Sequence, residues 1–239
     1  MTTAPGAPGA GDPLLAIAQR TADLVRTGTD LLVRPDGGGS RRTFLSGSAL
    51  ARLGRLLVAT AATEDAAVQD ALARAVLETW LTGHASLLLS DEDLELLDRR
   101  AAVLDHLSGP SQPATAEELV VDSTLTLDGL ARRLDLAMYG TAEPPKAFQR
   151  HLRSFYDEID IRGAEGTVAR WEAEPAGERH WRPRDLVRVC LWVTLFLAHD
   201  HFAADARPEE ARQARELFDE LRAVTAEFYR ERRASGAPA

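Results

Sequence analysis

The amino-acid sequence predicts an all-α protein, an irregular bundle of about seven to eight helices around a central apolar helix. Three observations lead to this fold class. Apolar residues recur at the three- and four-residue spacing of a single helix face along most of the 239 residues. Cap residues, prolines and glycines stand where those stretches begin and end. No stretch shows the alternation of apolar and polar residues that is typical of a half-buried strand.

Four helices are predicted in the first half of the chain. The first starts at Asp12-Pro13, a cap followed by a residue suited to the first helical turn, and ends at the Gly-rich segment 35–40. A leucine-rich second helix follows. Thr63 caps the third helix, whose apolar residues cover most of its circumference, so we predict that it is the central one. Ser90 caps the fourth.

The second half begins after the Pro- and Ser-rich segment 108–114. Helical spacing resumes at 126–139 and again at 147–161, with glycine and prolines between the two stretches. A mostly apolar helix is predicted at 185–206, and Pro208 opens the last helix.

These elements predict a single helical domain over residues 12–233, in which 108–114 is a candidate internal linker. A disordered N-terminus is expected at 1–11 and a disordered tail at 234–239. With 45% hydrophobic and 27% charged residues, the composition excludes wholesale disorder. The single cysteine, Cys190, excludes an internal disulfide and a cysteine-based zinc site, and its apolar surroundings predict a core residue.

Charge and hydropathy restrict the partners. The formal net charge of −9 gives no overall attraction to phosphate backbones, so nucleic acid is not the expected partner. The N-terminus lacks the basic start and the apolar stretch of a signal peptide. The longest apolar run, 189–198, is about half of the roughly 20 residues that a membrane-spanning helix needs. We therefore expect a cytoplasmic protein without a membrane segment, and its Arg- and Ala-rich composition is typical of a GC-rich bacterial genome.

Arg74 and Glu78 are the first candidate site. They lie four residues apart on the predicted central helix and share one side with apolar residues, which predicts partial burial. Because burial costs each charge several kcal/mol unless the pair is well satisfied, such pairs are sometimes retained for binding. Two interpretations stay open, a structural ion pair and a ligand-binding pair.

The same helix carries a resemblance to a known family. Ala71-Leu-Ala-Arg74-Ala-Val-Leu-Glu78-Thr-Trp80 resembles the Arg-x-x-x-Glu helix of DUF5677, an uncharacterised helical family (domain of unknown function). The order of later motifs, Leu127-Asp-Gly-Leu-Ala-Arg132 before Phe155-Tyr156-Asp157, is also similar. The resemblance implies a helical fold but no reaction, since none is established for that family. Where the family has a Ser followed by a His, this chain reads Ile-Asp-Ile-Arg-Gly-Ala-Glu over 159–165.

Two further patterns suggest chemistry. Arg100 and His106 fit the loose spacing of HEPN-type ribonucleases, in which Arg and His act on an RNA phosphate, but a chain this rich in arginine produces that spacing by chance. His201 and Asp205 share a helix face and are weak candidates for metal ligands, with Glu78 or His84 as a third ligand.

The function favoured by these patterns is a non-catalytic cytosolic helical protein that binds a partner or a small ligand, as a homo-oligomer or with another protein. One alternative is a HEPN-like ribonuclease of a toxin or defence system. The other is an atypical DNA-binding regulator that would use Arg150 and Arg153. We expect no cofactor, and no catalytic residue is assigned beyond the weak candidates Arg100 and His106.

Overall fold

The structure, a computed structural model, describes residues 12–29, 40–63, 65–95, 127–140, 146, 148–150 and 182–234. Of this described part, 92% is helical, in eight helices, and none is in a strand. The predicted all-α class is therefore confirmed. The segments 1–11 and 108–114, the tail after Ala234, and the Arg100/His106 pair lie outside the described residues.

Six helices are described at length, and two short helical segments accompany them at 91–95 and 148–150. In chain order the six are α1 (Pro13–Thr29), α2 (Arg41–Ala62), α3 (Ala66–Leu88), α4 (Leu127–Tyr139), α5 (Arg182–Ala204) and α6 (Pro208–Ala234). Each matches a helix that the sequence predicts.

Polar side chains cap the helix starts. The carboxylate of Asp12 accepts a hydrogen bond of 2.9 Å from the backbone two residues later, and Ser90 Oγ accepts one of 3.1 Å from the backbone three residues later. Both predicted caps are confirmed. At α3 the cap is Asp65, which accepts from Val68 N at 3.1 Å, whereas Thr63 accepts from Asp65 N. Thr63 therefore shapes the turn before the cap, and the prediction that it caps the helix is wrong by two residues.

Two apolar helices hold the core. α3, predicted to be central, packs against α2, α4 and α5, and α5 packs against α1, α2, α3 and α6. The stretch Arg184–Ala204 of α5 is long and apolar enough to cross a membrane, and 72% of an apolar 18-residue part of it is buried inside the fold. Such burial is expected of a helix that is surrounded by four others.

The turn between α5 and α6 is tight. Ala206 has a φ of 54°, and Arg207 N donates to Phe202 O at 2.8 Å while Ala206 N donates to Ala203 O at 3.3 Å. These two bonds form a Schellman motif, in which the left-handed position is usually a glycine. The turn reverses the chain and places Arg207 at the junction of α1, α5 and α6.

Candidate functional site

Arg74 and Glu78 form a surface ion pair. Arg74 Nε lies 3.3 Å from Glu78 Oε1, and the two side chains are 58% and 41% exposed. The pair is thus more exposed than the sequence suggested, and an exposed pair at this helical spacing contributes only about 0.3–0.5 kcal/mol. Among the described residues, Glu78, the third metal ligand considered from the sequence, forms no hydrogen bond or ion pair with His84 or His201.

His201 is buried at the interface between α5 and α2. Its Nδ1 lies 2.9 Å from Ser46 Oγ, which is also 3.2 Å from Thr43 O. Nε2 is buried and has no hydrogen-bond partner among the described residues. Burial lowers the pKa of His201 below its ordinary 6.5, Asp205 opposes that shift and Arg207 adds to it.

His84 is the second buried histidine, at the interface between α3 and α5. Its ring lies among Trp80, Phe148 and Phe196, with centroid separations of 5.6, 5.2 and 4.7 Å. Nε2 is 3.3 Å from Asp200 Oδ2, within ion-pair distance but not aligned for a hydrogen bond. The His84–Asp200 contact therefore joins α5 to α3, whereas the His201–Ser46 bond joins α5 to α2.

Among the described residues, the histidines and their neighbours are not arranged around one point in space. Asp200 and His201 are adjacent in sequence, so their side chains leave α5 in different directions, one toward α3 and one toward α2. Within the described ranges, no group of three or more His, Cys, Asp or Glu side chains is arranged to hold a metal ion. The arrangement instead joins α5 to both neighbouring helices.

Asp135 is a buried carboxylate that sequence reasoning missed. It accepts hydrogen bonds from Phe148 N at 2.8 Å and from Gln149 N at 3.2 Å, and so caps the helical segment 148–150 from α4. This cap holds the Phe148 ring stacked on Trp80 at 5.4 Å. The sequence did contain a signal of its burial, because Asp135 directly follows Leu134 on the apolar side of α4.

A cleft of about 500 Å³ lies between α1 and α6. We call it the α1–α6 cleft. Leu24 and Leu217 contribute apolar surface. Its charged lining comprises four carboxylates, Asp23, Glu209, Glu210 and Glu216, and one guanidinium, Arg20. Each of these carboxylates is paired with an arginine, Asp23 with Arg26, Glu210 with Arg207, and both Glu209 and Glu216 with Arg212.

Arg207 links α1 and α6 next to the cleft. Its guanidinium donates to Gly28 O of α1 and to Glu210 of α6, and it lies over the ring of Phe202, 5.3 Å from the centroid. Gly28 lies against that same ring, since a Cβ at this position would be 2.3 Å from Phe202 Cζ. The separation of α1 and α6, and with it the shape of the cleft, depends on this junction.

An exposed stripe of α2 carries two arginines and no acidic residue. Its residues, here called the α2 ridge, are Phe44, Ser48, Arg52, Arg55 and Val58, which follow the spacing of one helix face. Phe44 is 54% exposed and Val58 is 45% exposed. Arg52 and Arg55 are exposed, and neither has an acidic partner among the described residues. The sequence did not single out this face.

Comparison with known protein families, curated proteins and solved structures finds no match. The resemblance to DUF5677 therefore stays a prediction. The ribonuclease candidates Arg100 and His106 and the regulator candidate Arg153 lie outside the described residues, whereas Arg150 is exposed at the end of the segment 148–150.

Proposed function

We propose that this chain is a non-catalytic helical binding protein that acts in the cytoplasm by docking an acidic protein surface on the α2 ridge. The observation that carries the proposal is the ridge itself, where two apolar side chains flank two unpaired arginines on a single exposed helix face. Such a combination is typical of protein interfaces, in which aromatic residues and arginine are enriched.

The arginines of the ridge differ from most others in the described chain. Arg20, Arg74 and Arg212, for example, each pair with a neighbouring glutamate on the surface. Arg52 and Arg55 have no acidic partner within the part of the chain that the structure describes, so their charges are available to an acidic group of another protein.

A protein fits this face better than a nucleic acid does. The ridge offers two guanidinium groups, while the whole chain carries a net charge of −9 that repels a phosphate backbone. The apolar ends, Phe44 and Val58, add contact area that an acidic protein surface with apolar residues would bury.

Site-specific photocrosslinking tests the proposal. Ser48 lies in the middle of the ridge and is exposed, so Ser48→p-benzoylphenylalanine places a reactive group at the docking face of the full chain in its native cells. The control is Ala226→p-benzoylphenylalanine, at an exposed position of α6. We expect discrete protein adducts from position 48 only, with the crosslink at a partner peptide that is rich in Asp and Glu. The adducts should disappear when the same chain also carries Arg52→Glu and Arg55→Glu.

Two results would contradict the proposal. One is an adduct pattern at position 48 no richer than that at position 226. The other is crosslinking of position 48 to RNA or DNA, which would show that the arginines bind phosphate. Because Arg52 and Arg55 are exposed and unpaired, the double charge reversal should change the free energy of unfolding by less than about 0.5 kcal/mol. A loss of adducts would thus report binding rather than unfolding.

A further inference from the structure

We infer that the surface that docks on the α2 ridge is an acidic amphipathic helix of another protein, lying along α2 on the side of the ridge that faces α3. The inference rests on the proposed function of the ridge and names the kind of partner that it binds. Three features carry it: the straight course of the ridge, an apolar flank beside it, and the placement of its two arginines.

The ridge is long, narrow and nearly parallel to the axis of α2. Its five residues lie within a sector about 120° wide, because successive residues of an α-helix are about 100° apart. From Phe44 to Val58 it extends for about 21 Å, or four turns, at about 1.5 Å per residue. A second helix packs against a stripe of this width at an interaxial distance of roughly 8–10 Å, so one helix is enough to cover the ridge over its whole length.

An apolar flank follows the ridge on one side. Its residues, Leu45, Ala49 and Leu56, are half-buried and lie next to Arg52 around the circumference of α2. The flank faces α3, because a Cβ at Gly83 of that helix would lie 3.0 Å from Ala49 Cβ. A partner helix with one apolar stripe would cover the parts of these side chains that α3 leaves exposed.

The two arginines favour an acidic helix over an apolar one. Arg52 and Arg55 are exposed one turn apart, and neither has an acidic partner among the described residues. Two carboxylates one turn apart on a partner helix are neighbours in the same way, so they can meet both guanidinium groups. An extended partner gains less, because the backbone groups of α2 are already paired within the helix and offer no sheet edge for strand addition.

Crosslinking from three positions along the ridge tests the inference. The probe, p-benzoylphenylalanine, replaces Phe44, Ser48 or Val58 of the full chain in its native cells, one position in each variant, and Ala226 again serves as the control. All three ridge positions are exposed, so each replacement leaves the core unchanged. Mass spectrometry of the adducts identifies the partner peptide and the residue in it that each probe reaches.

A helical partner gives a defined displacement between these residues. The probes at 44 and 58 are about 21 Å apart, so the crosslinked residue should move by about 14 positions within one peptide, since both helices rise about 1.5 Å per residue. An extended partner would give a displacement of only about 6 positions, at about 3.3–3.4 Å per residue. A face built from separate segments would give peptides that are not contiguous.

Charge exchange then tests the contact with the arginines. Arg52→Glu/Arg55→Glu should remove the adducts at all three positions, whereas Arg215→Glu/Arg222→Glu, at exposed sites of α6, should leave them unchanged. Replacing the acidic residues of the mapped partner peptide by arginine should restore the adducts of the first double variant by roughly tenfold or more. Such restoration also shows that the double variant is folded, and its absence would overturn the inference.

Failure of this inference is distinguishable from failure of the proposed function. If position 48 crosslinks to an acidic protein but the displacement is about 6 positions, or the peptides are not contiguous, the helix is refuted and the function of the ridge is retained. A partner peptide that comes from this same chain has the same consequence. Adducts at position 48 no richer than those at position 226, or adducts with RNA or DNA, refute both. A displacement of about 14 positions within one acidic peptide supports both.

Discussion

Replacing Gly28 by alanine should destabilise the fold, although alanine is the better helix former. Gly28 lies in the last turn of α1, where the substitution would otherwise gain up to about 1 kcal/mol. The new Cβ would lie 2.3 Å from Phe202 Cζ and 2.5 Å from Cε1, far inside the roughly 3.5–4.0 Å of a carbon–carbon contact.

The ring of Phe202 has little room to move. It is fully buried, and Arg207 lies over it while donating to Gly28 O. We therefore expect the upper part of the overpacking range, about 3 kcal/mol. After subtraction of the gain in helix propensity, Gly28→Ala should lower the free energy of unfolding by about 2 kcal/mol, which corresponds to a melting temperature lower by about 4–8 °C in a chain of this size.

Urea unfolding of four variants measures the effect. Gly54→Ala is the matched control, because its Cβ would meet Val25 Cγ1 at 2.9 Å, a milder overlap with a methyl group rather than a ring. It should cost less than about 1 kcal/mol. Phe202→Leu and the double variant Gly28→Ala/Phe202→Leu complete the cycle, and the double variant should be at least about 1 kcal/mol more stable than the sum of the single effects predicts. A neutral or stabilising Gly28→Ala, or additive effects, would refute the packing of α1 on this ring.

Three further predictions concern the core. Arg207→Ala should lower the free energy of unfolding by roughly 2–3 kcal/mol in urea, because it removes charge-assisted bonds to Gly28 O and Glu210, and Arg207→Lys should restore only part of that loss. Since burial lowers the pKa of His201, the unfolded chain binds more protons than the folded chain below about pH 6.5, so the contribution of His201 to stability is complete above that pH and decreases as the pH falls. His201→Asn, which can still form a hydrogen bond with Ser46, should show a shallower decrease in the free energy of unfolding between about pH 6.5 and 5. Equal slopes for the two chains would refute this assignment. Burial raises the pKa of Cys190 to about 12, against a weaker opposing hydrogen bond from Thr60, so the thiol should resist an aromatic disulfide reagent at pH 8 until the chain is unfolded.

The sequence was sufficient for the helices because their signals are local. Asp12 and Ser90 cap the helices that they were predicted to cap, and apolar spacing identified all six long helices. Local signals also explain the error at Thr63, since Thr63 and Asp65 are both good caps and only the observed backbone geometry distinguishes them.

The candidate surfaces could not be predicted in the same way, because they depend on contacts between distant parts of the chain. The cleft requires α1 beside α6, an arrangement shown by the two bonds that Arg20 Nη1 donates to the carboxylate of Glu220, 200 residues away. The periodicity of α2 shows that one side of this helix is more polar. It does not show that Arg52 and Arg55 have no acidic partner among the described residues. The exposure of Arg74 depends on which helices pack against α3, and a single helix pattern does not contain that information.

Binding and stability can be separated in this fold because the charged surfaces and the packed core use different residues. The ridge projects into solvent, so changing its residues removes little buried area and should leave the free energy of unfolding nearly constant. Gly28 lines the cleft and Arg207 donates to its carbonyl oxygen, so changing either residue should alter both stability and the separation of α1 and α6. A ridge variant that loses its crosslinked adducts at unchanged stability must therefore have lost a contact with its partner rather than its fold.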